Sequence, residues 1–163
     1  MYFKEFVKTN QEEFLNKVQH IASRLGIKPH WLMFVMYFES RLNPKAVNPY
    51  SGATGLIQFM PNTARSLGTT VEELAEMTNL QQLDYVLAYL IPHEGRMHSW
   101  VDVYLAVFYP VAMRKPDTWA ITRPIVAKQN PVFDINKDGK ITIAEIKTAL
   151  RKHIPAKYKD AYP

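Results

Sequence analysis

Glu39 is the residue in this chain whose neighbours best suit it to transfer a proton. It follows the apolar and aromatic run HWLMFVMYF, and the next acidic residue along the chain is Glu72. A carboxyl group at the C-terminal end of a buried helix loses its hydration and meets the negative end of the helix dipole, and both effects raise its pKa. A glutamic acid that stays protonated near neutral pH can act as a general acid. The alternative is an exposed Glu39 that pairs with Arg41.

A loop rich in glycine, serine and asparagine follows Glu39 and leads into the segments GLIQ and MPNTA. Ser40 stands next to the acid and could hydrogen-bond it or a sugar, or simply end a helix. Gly52 and Gly55 allow a backbone to approach a ligand closely, although both also suit simple turns. Gln58 offers a donor and an acceptor to an N-acetyl group or a glycan hydroxyl. The order of buried helix, lone acid and polar loop therefore favours an enzyme that protonates a sugar leaving group.

This stretch resembles the catalytic region of the soluble lytic transglycosylases, relatives of goose-type lysozyme that cleave the glycan strands of peptidoglycan. The matching residues form one ungapped block: Glu39, Ser40, Asn43, Pro44, Ala46, Asn48, Ser51, Ala53, Gly55, Leu56, Gln58, Met60, Pro61, Thr63 and Ala64. A weaker similarity follows at residues 106–110, where the family usually has a tyrosine followed by asparagine and this chain has Tyr109 and Pro110. Tyr109 is predicted to hydrogen-bond Glu39 or to stack on a sugar, and the alternative is a tyrosine of the core.

The resemblance implies an all-α, lysozyme-like fold that acts on peptidoglycan glycan strands. It implies that Glu39 is catalytic and that five residues contact the substrate, namely Ser40, Ser51, Gly55, Gln58 and Tyr109. It also implies a lyase mechanism with one acid. Glu39 protonates the leaving group, the acetamido oxygen of N-acetylmuramic acid stabilises the developing charge, and the 6-hydroxyl attacks to give a 1,6-anhydro end without water.

Two other functions remain open on the sequence. Glycosidases usually pair two carboxylates, and a fold can bring Asp84, Glu94 or Asp102 to Glu39, which would make the protein a hydrolytic muramidase. The third hypothesis for the function is a non-catalytic module that binds the cell wall or has a calcium-dependent structural role.

Residues 134–145 match the twelve-residue calcium loop of the EF-hand position by position. The predicted Ca²⁺ ligands are Asp134, Asn136, Asp138, the carbonyl of Lys140, Thr142 and Glu145. Gly139 permits the sharp turn, and the following segment IAEIKTALRKH predicts the exiting helix. Pro124 and Pro131 interrupt the entering helix. We expect a single calcium ion in a structural role, and the alternative is an Asx-rich turn capped by Thr142 and Glu145.

The length of 163 residues suits one domain, residues 1–163, with the calcium loop integrated at its C-terminal end. The absence of cysteine excludes disulfides and cysteine metal sites. The net charge of +5 draws the chain to polyanions, but its lysines and arginines are scattered, so we expect bacterial wall polymers and no nucleic acid.

The first residues, MYFKEFVKTNQEEF, have no signal-peptide core, and no later run is long enough to span a bilayer. We therefore expect a monomer with no membrane insertion that reaches the bacterial cell wall (the periplasm) from the host cytoplasm, as a bacteriophage endolysin, or on a phage particle.

Apolar spacing predicts helices in most of the chain. The expected helix starts are a capping box of Asn10 and Glu13, Pro29 in a first turn, Thr70 with Glu73, Asn79 as the start of a longer helix, and Ser99 with Asp102 as a cap. The stretch between Pro116 and Pro131 is predicted to be mostly loop and short turns.

Overall fold

The structure is a computed structural model that describes residues 1–163 and divides into two compact units, Met1–Val107 and Phe108–Pro163. The α-helices are, in chain order, α1 Gln11–Leu25, α2 Pro29–Ser40, α3 Pro61–Ser66, α4 Val71–Glu76, α5 Asn79–Leu90, α6 Trp100–Phe108, α7 Pro124–Gln129 and α8 Ile143–His153. Two short strands, β1 Ala120–Ile121 and β2 Ile141–Thr142, pair antiparallel. The predicted predominance of helix is confirmed.

The calcium-type loop lies in the second unit, whereas Glu39 and its polar loop lie in the first. The sequence predicted one domain over residues 1–163, and whether the two units fold as one cooperative domain stays a prediction. None of the helices has the length and apolar composition needed to cross a lipid bilayer.

Helix α1 is amphipathic, with one buried stripe: Phe14, Val18, Ile21, Ala22 and Leu25. It ends as predicted at Gly26, whose φ of +68° is the left-handed conformation that glycine adopts without a Cβ clash. The predicted capping box at its start is wrong. Asn10 is itself left-handed and makes no cap hydrogen bond, because its side-chain amide donates to Asn79 Oδ1 at 3.2 Å.

Helix α2 is buried nearly all round, as its composition predicted. It begins at Pro29, which has no N–H to leave unsatisfied at a helix start. Every residue from Leu32 to Tyr37 is buried. The helix ends at Ser40, so Glu39 occupies its last turn and follows directly on the buried part of the helix.

Helices α5 and α6 complete the frame of the first unit. Helix α5 begins at Asn79, as predicted, and Thr78 before it forms the capping box with Gln81. At the start of α6, Ser99 Oγ accepts from Asp102 N at 3.1 Å, which confirms the predicted cap. Tyr104 in α6 is only 2% exposed.

The second unit contains more regular structure between Pro116 and Pro131 than the sequence predicted, namely β1 and α7. Ile121 pairs with Ile141 across the two strands, and both side chains are buried. The loop 134–145 leads through β2 into α8, whose buried residues are Ile143, Ile146, Ala149 and Leu150.

Candidate active site

Glu39 has the environment of a proton donor. Burial raises the pKa of its carboxyl group from the ordinary value of 4.5 to about 7, while a hydrogen bond from Tyr104 acts in the opposite direction. The residue is still partly exposed. Near neutral pH this carboxyl group is therefore present in both protonation states, which suits a residue that first gives and then takes a proton.

Two tyrosines surround the acid. The Tyr104 hydroxyl, carried by α6, is hydrogen-bonded to Glu39. Tyr89, carried by α5, directs its hydroxyl to the carbonyl oxygens of Ala106 at 2.9 Å and Val107 at 3.2 Å. Burial and the charge of Glu39 both raise the pKa of Tyr89. Three helices thus hold one carboxyl group and two hydroxyls in an otherwise apolar region.

Arg41 does not pair with Glu39, so the exposed-pair alternative is not what the structure shows. The guanidinium of Arg41 lies 4.2 Å from the centroid of the Tyr37 ring. Arg41 and Leu42 both have left-handed backbones, with φ of 55° and 61°. Each left-handed residue of this kind costs on the order of 1 kcal/mol of folding stability. Leu42 is only 3% exposed, and burial of its side chain offsets this cost. This strained pair turns the chain sharply after the acid.

Ser40 anchors the loop that follows. Its hydroxyl is within hydrogen-bond distance of two carbonyl oxygens, those of Met36 at 3.0 Å and Leu56 at 2.8 Å. The residue is 8% exposed. The structure therefore gives Ser40 a positioning role, and its predicted contact with a sugar stays a prediction.

Gly55 is required by an internal contact. A Cβ atom at this position would lie 2.5 Å from Gln82 Oε1, and the φ of Gly55 is +87°. Gln82 is fully buried and joins three segments: its Oε1 accepts from Leu56 N at 2.9 Å, and its amide donates to Pro44 O and Leu74 O at 2.6 and 2.8 Å. The close approach that this glycine permits is to Gln82, and its predicted contact with substrate stays a prediction.

Gln58 and Ser51 lie on the same loop. Gln58 has a left-handed φ of 56°, and its amide donates to the carbonyl oxygens of Ala46 and Gly55, each at 3.1 Å. Those bonds fix the side chain and leave its Oε1 as an acceptor for a ligand. Ser51 is exposed, and its hydroxyl accepts from Ala53 N at 3.2 Å.

Tyr109 lies in the second unit, where its ring centroid is 6.5 Å from that of Trp119. The sequence predicted that Tyr109 would hydrogen-bond Glu39 or stack on a sugar. The tyrosine bonded to Glu39 is Tyr104 instead, and the contact of Tyr109 with a sugar stays a prediction.

The three candidates for a second acid each have a partner of their own. Asp84 pairs with Lys17 at 2.9 Å, and Glu94 pairs with Arg24 at 2.5 Å. Asp102 is 7% exposed and accepts from the backbone amide of His98 at 2.8 Å. The pKa of Glu39 is raised by burial, and the hydrogen bond from Tyr104 acts against that increase.

A cavity of about 460 Å³ in the first unit lies apart from these residues. Its lining residues include Arg24, Trp31 and Glu94 and contain none of the groups bonded to Glu39. The candidate site is therefore identified by the environment of Glu39 and not by this cavity.

The loop 134–145 has the turns expected of the calcium motif. Asp134 accepts from Asp138 N and Gly139 N, both at 3.1 Å, and Asp138 accepts from Lys140 N at 2.9 Å. Lys137 and Gly139 have left-handed φ values of 58° and 82°.

Glu145 closes the calcium-type loop and starts α8. Its Oε2 accepts from Ile135 N at 2.8 Å, and its Oε1 accepts from Thr142 N at 3.1 Å in a capping box. No group of three or more histidine, aspartate or glutamate side chains in residues 1–163 is arranged to hold a metal ion. The predicted calcium site therefore stays a prediction that requires Glu145 to turn toward the ion.

Three functional residues were missed in the sequence: Tyr104, Tyr89 and Gln82. A tyrosine inside the apolar segment WVDVYLAVF needs a partner for its hydroxyl, because buried polar groups are nearly always hydrogen-bonded. That rule predicts a partner for Tyr104 but does not identify Glu39. No comparable signal marks Gln82 within NLQQLDYVL.

The helical frame and the desolvated carboxyl group of Glu39 suit general-acid chemistry. Residues 16–90, which carry Glu39, match the family model described as the transglycosylase SLT domain. The chain is also 38% identical over 58 residues to proteins named membrane-bound lytic murein transglycosylase C from three strains of Actinobacillus pleuropneumoniae: serotype 5b (strain L20), serotype 3 (strain JL03) and serotype 7 (strain AP76).

Each of these similarities covers 36% of this chain and 16% of the relative. The chain thus spans a small part of the length of the curated relatives that it matches. The family model matches residues 16–90 within the first unit, which confirms that residues 39–64 resemble this family.

Proposed function

We propose that this protein cleaves peptidoglycan as a lytic transglycosylase, with Glu39 as its single acid and base. One observation carries the proposal: the carboxyl group of Glu39 is desolvated, has a pKa of about 7 and has a tyrosine hydroxyl as its hydrogen-bonding partner. The SLT-type segment around it supports peptidoglycan as the substrate.

The proton transfers follow from the state of this carboxyl group. Protonated Glu39 gives its proton to the oxygen that joins C1 of N-acetylmuramic acid to C4 of N-acetylglucosamine, and the C1–O bond breaks. The acetamido oxygen of the muramic residue stabilises the positive charge at C1. Ionised Glu39 then takes the proton of the 6-hydroxyl as O6 bonds to C1. The products are a free 4-hydroxyl and a 1,6-anhydro end, and no water is consumed.

The surrounding residues support these two steps. The hydrogen bond from Tyr104 favours the ionised form of Glu39, so it limits the pKa increase that burial alone would cause. It also fixes the carboxyl group in one position for both transfers. Gln58 would accept a hydrogen bond from the N-acetyl group through its Oε1, since its amide is held by the loop.

The hydrolytic alternative needs a carboxylate that activates water. Asp84 and Glu94 form ion pairs, and the Asp102 carboxylate receives a backbone amide. These pairings favour the one-acid mechanism.

Mass spectrometry of muropeptides after digestion of purified peptidoglycan tests the reaction. We expect anhydro ends, which are lighter by one water than reducing ends. Reducing ends would establish hydrolysis. A turbidity assay on bacterial cells tests the hypothesis of a non-catalytic wall-binding or calcium-dependent module, because such a module would leave the cells intact.

We also propose that residues 134–145 bind one calcium ion with a structural role. The donor set is hard oxygen throughout, which suits Ca²⁺: Asp134, Asn136, Asp138, the carbonyl of Lys140, Thr142 and Glu145. The backbone turns of the loop support the proposal because amides of the loop itself hold the carboxylates of Asp134 and Asp138. Bound calcium would hold β2 and the start of α8 together.

Delivery to the wall by a phage particle or from the host cytoplasm, a monomeric state and the absence of nucleic-acid binding stay predictions.

A further inference from the structure

The loop between α2 and α3 exposes large apolar side chains beside the proposed active site. Tyr50 is 98% exposed, Val47 is 54% exposed and Met60 is 47% exposed. Single exposed apolar residues are ordinary on protein surfaces. Tyr50 differs from such residues because hydrogen bonds fix the backbone that carries it.

The tip of this loop is fixed by its own hydrogen bonds. The side-chain oxygen of Asn48 accepts from Tyr50 N at 2.9 Å and from Ser51 N at 3.2 Å. The backbone of Asn48 exchanges hydrogen bonds with Gly52 and Ala53, each at 2.8 Å. A backbone ordered before binding loses little entropy when a ligand arrives. Tyr50 is thus presented to solvent on a rigid support.

The same tip is connected to the catalytic residues. Thr54 forms bridges with both Val47 and Phe59, so the two arms of the loop pair through it. The Phe59 ring lies edge-on to the Tyr89 ring, 6.5 Å between centroids. Tyr89 in turn lies within the electrostatic influence of Glu39. The loop that carries Tyr50 at its tip therefore borders the acid at its base.

The side chain of Tyr50 does not contribute to the core of the fold. At 98% exposure it contributes almost no buried surface to the fold. Its ring makes none of the aromatic contacts that engage Phe59, Tyr89 and Tyr104. A rigid aromatic ring with a polar tip is well suited to contact a ligand that has both C–H faces and hydroxyls, and a pyranose ring has both.

We propose that Tyr50 stacks on a sugar ring of the glycan strand at the rim of the Glu39 site and that it is a substrate-binding residue. This inference rests on the proposed function. It adds a contact outside the set of Ser51, Gly55 and Gln58.

The test measures binding to peptide-free glycan strands, prepared from peptidoglycan with an amidase. A parent protein with Glu39→Gln holds the strands without cutting them. Tyr50→Ala, Tyr50→Phe and Tyr50→Trp are added to this parent. Ile125→Ala is the matched control, because Ile125 is a large apolar residue that is 46% exposed in the second unit. Melting temperatures establish that all variants are folded.

We expect Tyr50→Ala to weaken binding roughly three- to tenfold, in line with the range for aromatic contacts, and Phe and Trp to restore it. In the active protein, Tyr50→Ala should raise KM more than it lowers kcat. Equal binding by Tyr50→Ala and Ile125→Ala would overturn the inference and leave the proposed function standing. A parent that does not bind glycan at all would contradict both. Binding to anionic lipid vesicles is measured in parallel. If Tyr50→Ala weakened binding to the vesicles and left glycan binding unchanged, the inference would be overturned and Tyr50 would be assigned to a membrane surface.

Discussion

Carboxyl groups stand in two opposite environments in this protein. Glu39 is a single carboxyl group at the end of a buried helix, with one tyrosine hydroxyl as its partner. In the loop 134–145, three carboxylates lie within twelve positions, and each accepts backbone amides of the loop, as for Asp134, Asp138 and Glu145.

The difference shows how environment assigns a role to the same functional group. Where water and amides are removed, the neutral form is favoured, and the carboxyl group can donate a proton. Where several carboxylates lie close together in sequence on a polar turn, the role we propose is to bind a divalent cation. Four predictions separate these roles, taken from the largest expected effect to the smallest.

Glu39→Gln should reduce lysis of bacterial cells by several orders of magnitude. The amide keeps the shape of the side chain but cannot transfer a proton, and loss of an essential acid costs roughly 10²-fold or more. The control is Glu72→Gln, which changes the next acidic residue along the chain, an exposed one in α4. A Glu39→Gln variant that kept a tenth of the activity would remove Glu39 from the mechanism.

The same substitution should stabilise the protein at alkaline pH. Because the pKa of Glu39 is raised from 4.5 to about 7, the folded state favours the protonated form. Ionised Glu39 therefore lowers the free energy of unfolding, with no loss below pH 4.5 and the full loss above pH 7. The full loss corresponds to roughly 3 kcal/mol. Glu39→Gln should therefore melt several degrees higher than wild type at pH 8 and at the same temperature at pH 4. Equal melting at both pH values would mean that Glu39 is not desolvated.

Calcium should raise the melting temperature of the wild type. An ion that binds only the folded state stabilises it by about 2.7 kcal/mol at a hundredfold excess over the dissociation constant. The comparison uses excess calcium and excess chelator, with Glu145→Gln as the matched variant. No response in the wild type would leave residues 134–145 as an Asx-rich turn, and an equal response in both proteins would place calcium elsewhere.

Tyr104→Phe should move the alkaline limit of activity upward. The hydrogen bond from Tyr104 lowers the pKa of Glu39, so its loss lets burial raise that pKa further. Glu39 then stays protonated to higher pH, and we expect a loss of kcat of roughly tenfold because the ionised form is less well held. The pH profile of kcat/KM measures the shift. Tyr89→Phe is the comparison, since its hydroxyl bonds main-chain carbonyls. An unchanged profile would show that Tyr104 does not influence the acid.

Much of the local structure and the identity of the acid could be predicted from the sequence. Pro29, the apolar run before Glu39 and Gly26 predicted where α1 ends and α2 begins, because proline and glycine restrict the backbone locally. The pattern of residues 134–145 predicted the turn at Gly139, because loop geometry depends on residues close in sequence. The family resemblance was visible for the same reason, in one ungapped block.

The tertiary structure alone decided which residues meet. Asn10 failed as a cap because Asn79, far along the chain, took its side chain. Gly55 proved to make room for Gln82, and the hydroxyl at Glu39 came from Tyr104 and not from Tyr109. The sequence by itself determined the lone acid, the end of α1, the start of α2 and the turn at Gly139, since each depends on near neighbours. Packing between distant segments determined the desolvation of Glu39 and its partner, because burial and long-range hydrogen bonds exist only in the folded chain.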